Sequence, residues 1–367
     1  MNKQQKLKNI GTVAVALSGG IDSATAAFLL KKNGFDIFGV TLKLVNDKNF
    51  KKNAELIDKI CSELNIKKYI LDLTEAFEEK IIKTFCTVYL EGRTPNPCIE
   101  CNKLIKFGIL LEKVMDLGAS HLATGHYAII EKSKNNVGRY LYRLKKGMDK
   151  TKDQSYFLWK LNQKQLKKII FPLGKLYKKE VSKNSLKTFP FLKGHPESQE
   201  ICFLKGTSYK DFIIKSSKIM ELKMNKKIGC GQVIDSAGRV LGTHKGYPFY
   251  TIGQRRGLGI SHSKPLYVKA IIPEENIIVA GEEEEIYSRQ FYIQDLNFIS
   301  GKPPAKNFDA DVKIRYNSEQ QPAKIQITRD NKALVKFKTS QKAVTLGQSA
   351  VFYQRDFLLG GGIITEN

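Results

Sequence analysis

The chain has 367 residues, long enough for two or three domains that each bury a core. Its 61 Lys and Arg stand against 36 Asp and Glu, and a net charge of +25 points to a polyanionic partner, nucleic acid being the commonest. No run of about 18 apolar residues occurs, so an α-helical membrane span is excluded. The start, MNKQQKLKNIG, lacks the apolar centre of a signal peptide, and six cysteines in that context lead us to expect a reducing cytoplasm with reactive or metal-binding thiols.

The first element is decisive. Val13 to Leu17 is an apolar, β-branched run that predicts a buried strand. Ser18-Gly19-Gly20 predicts a sharp turn, and Asp22 and Ser23 open a helix that continues through Ala24–Leu30. A strand, a glycine turn and a helix N-terminus together make an anion site, because unpaired amides and the helix dipole face the ligand. A Walker loop is excluded, since no Gly-Lys-Ser/Thr follows the glycines.

Alternation then continues. Asp36–Leu44 predicts a second strand, Phe50–Leu64 a helix, Lys67–Leu73 a third strand and Thr74–Glu91 a helix. Asn102–Leu117 predicts a helix that leads into a fourth strand at His121–Gly125. This βαβα order predicts an α/β fold with a parallel sheet covered on both faces and ligands at the strands' C-terminal ends. Residues 141–187 hold fourteen Lys or Arg against three acids. From about Gly206 helical periods fade. GQVIDSAGRVLG, YTIGQRRGLGI, LYVKAIIP and NIIVAG, then DVKIRY, AKIQIT, ALVKFK and QSAVFY, predict short strands between turns. We expect three domains: a catalytic α/β domain over 1–205, a small β domain over 206–285 and a C-terminal β-barrel over 286–367. The acidic run Glu282–Glu285 reads as a solvated turn.

Thiols supply the second chemistry. In RTPNPCIECNKLIKF, two prolines stiffen the backbone, and Cys98 and Cys101 emerge just before a helix whose N-terminal dipole should lower their pKa. Cys202 lies far downstream, in SQEICFL. A lone cysteine reads first as a small buried hydrophobe. The Cys98/Cys101 pair also reads as half of a structural zinc site, completed by Cys202 and His126.

The string SGGIDS after a strand resembles the pyrophosphate loop of the ATP pyrophosphatases. With RTPNPCIECNKLIKF, LATGHYA, KDQSYFL, FPLGKLYKKEV, SQEICFL, GTHKGYPFYTIGQRRGLGI, LYV and GQSAVFY, the chain resembles the bacterial tRNA-specific 2-thiouridylases over nearly its whole length. The resemblance implies adenylation of the C2 carbonyl of the wobble uridine by ATP, with Mg²⁺ expected. Sulfur is then delivered from a cysteine persulfide charged by a cysteine desulfurase or relay protein. It further implies a persulfide on Cys202, with Cys101 attacking it or resolving it as a disulfide. ATP would lie on Ala16, Leu17, Ser18, Gly19, Gly20, Ile21, Asp22 and Ser23, with Leu42 and Gly125. The tRNA would meet Asn96, Pro97, Cys98, His126, Lys152, Asp153, Gln154, Arg315, Tyr316 and Gln348. Arg255 and Arg256 add positive charge for RNA backbone or a domain contact. Many relatives have Asp, assigned as a general acid/base, where this chain has Cys98. A [4Fe-4S] cluster on Cys98, Cys101 and Cys202 therefore stands as an alternative use of the thiols, one ligand short of four. Two rival classes remain at this level: another adenylating ligase or amidotransferase on the same loop, and a non-catalytic RNA-binding protein.

Overall fold

The computed structural model describes residues 11–46, 49–134, 138, 140–195, 201–204, 206–219 and 229–366. Strand β1 (Val13–Ala16) is central because it is apolar on both faces. Ala14 enters one core cluster, while Val13 and Val15 enter another on the opposite side. Helix α1 (Ile21–Lys32) follows the loop, then β2 (Ile37–Lys43), α2 (Asn49–Leu64) and β3 (Lys68–Asp72). Two long helices come next, α3 over 74–90 and α4 over 97–116, each with a π segment inside it (Glu78–Ile82 and Cys101–Ile109). Strand β4 (His121–Ala123) returns beside β1.

The hairpin β5 (Ala128–Lys134) and β6 (Tyr140–Lys146) leaves this sheet, and β7 (Ile169–Ile170) closes it, giving the all-parallel order β3-β2-β1-β4-β7. Helix α5 (Lys178–Thr188) packs on α1, whose inner positions Ala24, Ala26 and Ala27 are small enough to be fully buried between sheet and helix. Helix α6 (Tyr209–Ile219) departs from the strand-rich expectation after Gly206. Phe212 and Ile213 belong to the apolar cluster of Phe85 and Phe203, so burial of one face holds this segment as a helix.

A four-stranded sheet follows, from β8 (Gly231–Ile234), β9 (Val240–His244), β10 (Tyr267–Ile272) and β11 (Ile277–Gly281). Within it, YTIGQRRGLGI forms turns rather than a strand, because Gly253, Gly257 and Gly259 all take positive φ. The chain ends in β12 (Tyr287–Phe298), β13 (Asn307–Lys313), β14 (Gln321–Ile327), β15 (Ala333–Lys342), β16 (Ser349–Gln354) and β17 (Phe357–Thr365). Pairing of β12 with both β15 and β17 closes these six strands into a barrel. The run Glu282–Glu285 is a capped turn whose carboxylates pair with Lys264, Lys342 and Lys269.

The barrel reaches the parallel sheet through the segment 153–163. Trp159 is fully buried in the main core, and Asn297 donates to the carbonyls of Trp159 (2.6 Å) and Leu161 (3.1 Å). A Cβ on Gly361 would stand 3.0 Å from the Trp159 ring, so the glycines of β17 make room for it. The hairpin β5–β6 joins the same interface, with Phe357 and Leu358 of β17 registered against Lys145 and Leu144.

Burial also sets an alkaline limit. Desolvation raises the thiols of Cys61 and Cys86 from 9.0 to about 11, and that of Cys101 to about 12. A folded pKa above the unfolded one leaves stability intact below about pH 9 and removes it as pH rises towards 11–12. Each thiol then costs about 1.4 kcal/mol per pH unit within its window. Urea melts at pH 8, 9.5 and 10.5 should show a steep fall in stability; equal midpoints would contradict the burial of these thiols.

Candidate active site

Helix α1 begins at Gly20 with no side-chain cap, so its first amides are available to an anion. The loop shapes itself instead: the Ser18 amide donates to Ser23 Oγ (3.1 Å), and Ser23 Oγ donates to the Gly20 carbonyl (3.0 Å). Gly19 sits at φ 79°, and a Cβ there would lie 2.1 Å from the Asn53 side chain, so only glycine fits under α2. Gly125, just beyond β4, packs against the first turn of α1, where a Cβ would meet the Asp22 and Ser23 backbone at 3.0 Å. Of the other residues expected to hold ATP, Ala16, Ile21 and Leu42 are half-buried at the loop or at the end of β2. Leu17 is different, since its side chain is buried in the α1/α2 core and only its backbone faces the loop's chemistry.

Asp22 is the loop's one carboxylate, and two groups converge on it. Lys178 Nζ, at the start of α5, donates to Asp22 Oδ1 over 2.6 Å, and the Tyr127 hydroxyl donates to the same oxygen over 2.7 Å. A half-buried ammonium is thereby held at the mouth of an anion site.

The thiols come from two separate segments of the chain. Cys98 lies exposed on the first turn of α4, and Cys101 is buried where the π segment begins. Cys202 is exposed, but the next residue, Phe203, is anchored among Phe77, Phe85 and Phe212, in the cluster that also contains Cys101. Each of Cys98 and Cys101 lies within electrostatic reach of Cys202. The pKa lowering expected from a helix N-terminus does not prevail. Desolvation raises both thiols, and Lys106 opposes that rise at each of them. Ser198, Gln199 and Glu200 of the downstream motif lie outside the described residues.

His126 follows Gly125 with its Nδ1 2.7 Å from Thr124 Oγ1 and its ring against Phe107 and Phe171. Burial, and then Lys106, hold it well below the usual histidine range, so it is neutral. Asn96 and Pro97 enter α4 as its N-cap and first residue. The Gln348 amide, reaching from the barrel, donates to the carbonyls of Thr94 (3.0 Å) and Pro95 (3.3 Å), and so clamps the thiol loop. Asp153 accepts from the Gly147 and Ser155 amides, and Gln154 accepts from the Tyr127 amide, so both brace the loop that presents half-buried Lys152. The Tyr316 ring packs at a tilt against Phe157, centroids 4.5 Å apart, under Lys313, while Arg315 donates to the Lys342 carbonyl. Arg255 and Arg256 lie exposed on a turn of the central sheet, remote in sequence from the loop and the thiols.

Comparison with known proteins identifies the family. Three family models cover the chain in succession: the tRNA methyl transferase HUP domain at residues 11–206, the tRNA methyl transferase PRC-barrel domain at 218–282, and the aminomethyltransferase beta-barrel domain at 288–364. The tRNA-specific 2-thiouridylase MnmA 2 of Thermoanaerobacter sp. (strain X514) is 42% identical over 96% of this chain and 97% of its own. MnmA of Carboxydothermus hydrogenoformans is 41% identical over 96% and 97%, and MnmA of Clostridioides difficile (strain 630) 40% over 97% and 98%. The chain belongs to the tRNA-specific 2-thiouridylase family. Among solved structures, the U34-tRNA thiolase NcsA from Methanococcus maripaludis with its [4Fe-4S] cluster matches 60% of this chain and 68% of its own, at 22% identity and a TM-score of 0.35.

Two residues of this 2-thiouridylase escaped sequence reasoning. Lys178 sits in FPLGKLYKKEV, where nothing local marks one lysine among several; only the fold carries it to Asp22. Lys106 sits five residues after Cys101, roughly 140° away on an ordinary α-helix. The π turn replaces i→i+4 bonding by i→i+5 and brings Lys106 round towards the thiols. No group of three His, Cys, Asp or Glu side chains among the described residues is arranged to hold a metal ion. Cys98, Cys101 and Cys202 do not form a cluster ligand set in this geometry, nor do they form a zinc site with His126.

Proposed function

We propose that the chain is an ATP-dependent tRNA-uridine 2-sulfurtransferase acting on the wobble uridine 34. The supporting observation is that the same α/β domain presents an uncapped helix N-terminus for the nucleotide and brings Cys101 and Cys202 within electrostatic reach of each other. A carbonyl such as uridine C2=O resists substitution because oxide is a poor leaving group. Its oxygen attacks the α-phosphorus of ATP, pyrophosphate leaves, and the oxygen now departs as AMP. Backbone amides of Gly19 to Ser23, with Lys178, neutralise charge on the departing pyrophosphate, and Mg²⁺ enters with the nucleotide.

The terminal sulfur of a Cys202 persulfide then attacks C2, and AMP leaves. The Cys101 thiolate attacks Cys202 Sγ, breaks the S–S bond and releases the 2-thiocarbonyl. A Cys101–Cys202 disulfide results, and an external thiol must reduce it before the next turnover. A sulfur-donor protein reloads Cys202, whose exposure suits that exchange. Asn96, Pro97 and His126 line the approach of an extruded base, and Lys152, Arg315 and Tyr316 supply charge and a ring beside it. Asp153, Gln154 and Gln348 act through the backbone they brace. A methyl-transfer reading, which two of the matching model descriptions suggest, leaves both the pyrophosphate loop and the thiols without a task. A ligase or amidotransferase reading leaves the thiols so. Incubation with ATP, a tRNA transcript and a persulfide donor should yield 2-thiouridine, AMP and pyrophosphate in equal amounts; AMP without thionucleoside would overturn the reading.

Cys98 occupies the general acid/base position. Cys98→Ala should lower kcat by about 10²-fold, within the span of one proton-transfer group, whereas Cys98→Asp should stay within about ten-fold of wild type. Near-normal turnover of Cys98→Ala in single-turnover assays would reduce Cys98 to a packing residue.

A further inference from the structure

The hairpin β5–β6 is anchored to the barrel but begins two residues after His126. Each strand has seven residues, so the arm extends about 20 Å from the site. Its register places Lys132 opposite Tyr142 and Lys134 opposite Tyr140, which puts two ammonium groups and two phenol rings on one face. Lys132 Nζ lies 3.8 Å from the centroid of the Tyr140 ring and Lys134 Nζ 5.6 Å from it. Tyr140 is 57% exposed, and Lys132, Lys134 and Arg143 are exposed with no carboxylate partner among the described residues. Glu131 is the arm's only acid and is already paired with Lys145.

We propose that this face of the arm is a second RNA grip, one that holds the tRNA body beyond the anticodon stem-loop. The proposal rests on the tRNA reading above and adds where the rest of the substrate lies. Lysines meet phosphates without sequence preference, and an exposed ring between them offers a stacking surface to ribose or base. An acidic sulfur-donor protein would meet the charges but has no use for the ring; it is the rival occupant.

The test compares Lys132→Gln/Lys134→Gln with wild type, using full-length tRNA and an isolated anticodon stem-loop as probes. The neutral substitutions lie on exposed positions, and a thermal melt equal to wild type shows that the fold is kept. If the arm grips the tRNA body, affinity for full-length tRNA falls at least five-fold. Its salt dependence also becomes shallower by one to two in log–log slope, roughly 0.7–0.9 per lost phosphate contact. Affinity for the stem-loop then changes less than two-fold. Equal effects on both probes, or none on either, overturn the proposal. So does unchanged tRNA binding with slowed sulfur loading from a donor protein. Because binding is read directly, a wild type that binds tRNA but makes no 2-thiouridine counts against the thiolation reading while leaving this test decisive.

Discussion

Cys202→Ser is expected to abolish 2-thiouridine formation, by at least about 10³-fold, while ATP and tRNA affinities stay within about two-fold of wild type. A serine oxygen cannot carry a transferable sulfur, so the loss falls on chemistry alone. The structure isolates the effect: Cys202 is exposed, and the adjacent Phe203, buried in the apolar cluster of Cys101, anchors the segment and is not touched by the substitution. Pyrophosphate release should outlast thiolation in this variant, because adenylation precedes sulfur attack and AMP leaves only when sulfur attacks C2. Single-turnover assays that score pyrophosphate and thionucleoside separately provide the check, and near-normal thionucleoside yield would remove Cys202 from the mechanism. Cys101→Ser should differ in kind. The serine variant can still load a persulfide on Cys202 but should stall as a covalent tRNA–sulfur adduct, visible as a mobility shift that a reductant reverses.

Lys178→Met should lower tRNA-dependent ATP–pyrophosphate exchange by about 10²-fold, as expected when one preorganised charge at a developing anion is lost. Its side chain is 12% exposed and its Nζ lies 2.6 Å from Asp22 Oδ1, so the ammonium is held beside the uncapped start of α1 before nucleotide arrives. An incoming triphosphate competes with Asp22 for that ammonium, which makes Lys178 a mobile counter-charge on a fixed mount. Lys178→Arg keeps the charge and should recover part of the rate. A stability loss alone would lower both variants' melting points without separating them in rate. Exchange by Lys178→Met at the wild-type rate would confine the lysine to a structural role.

Much of the site was legible because its signals are local. A β-branched run, two glycines and a helix start within eleven residues make an anion loop wherever they fold, and β1, α1 and the parallel order followed. The C-terminal strands were legible for a similar reason, since alternation and turn residues are short-range. The misses have a common physical form. Helix α6 owes its state to the Phe85 and Phe203 face it covers rather than to its own pattern. The turns of 250–260 follow from three glycines at positive φ, which a strand-like composition concealed. The Cys101 thiol, expected to be acidified by a helix dipole, is instead governed by desolvation, because the cluster around it excludes water.

The amino-acid sequence by itself determined the chemistry available here: a phosphate loop, three cysteines in two motifs, and a basic excess centred on 141–187. Tertiary structure decided which of these groups act together. Cys101 and Cys202 are about a hundred residues apart in sequence and come within electrostatic reach because Phe203 is buried in the same apolar cluster as Cys101. Asp22 and Lys178 meet because α5 packs on the small-residue face of α1. Gln348 meets the thiol loop because a closed barrel puts its 345–348 turn there. Long-range apolar burial selects such pairings, and a side chain's local propensity carries no information about its distant partner.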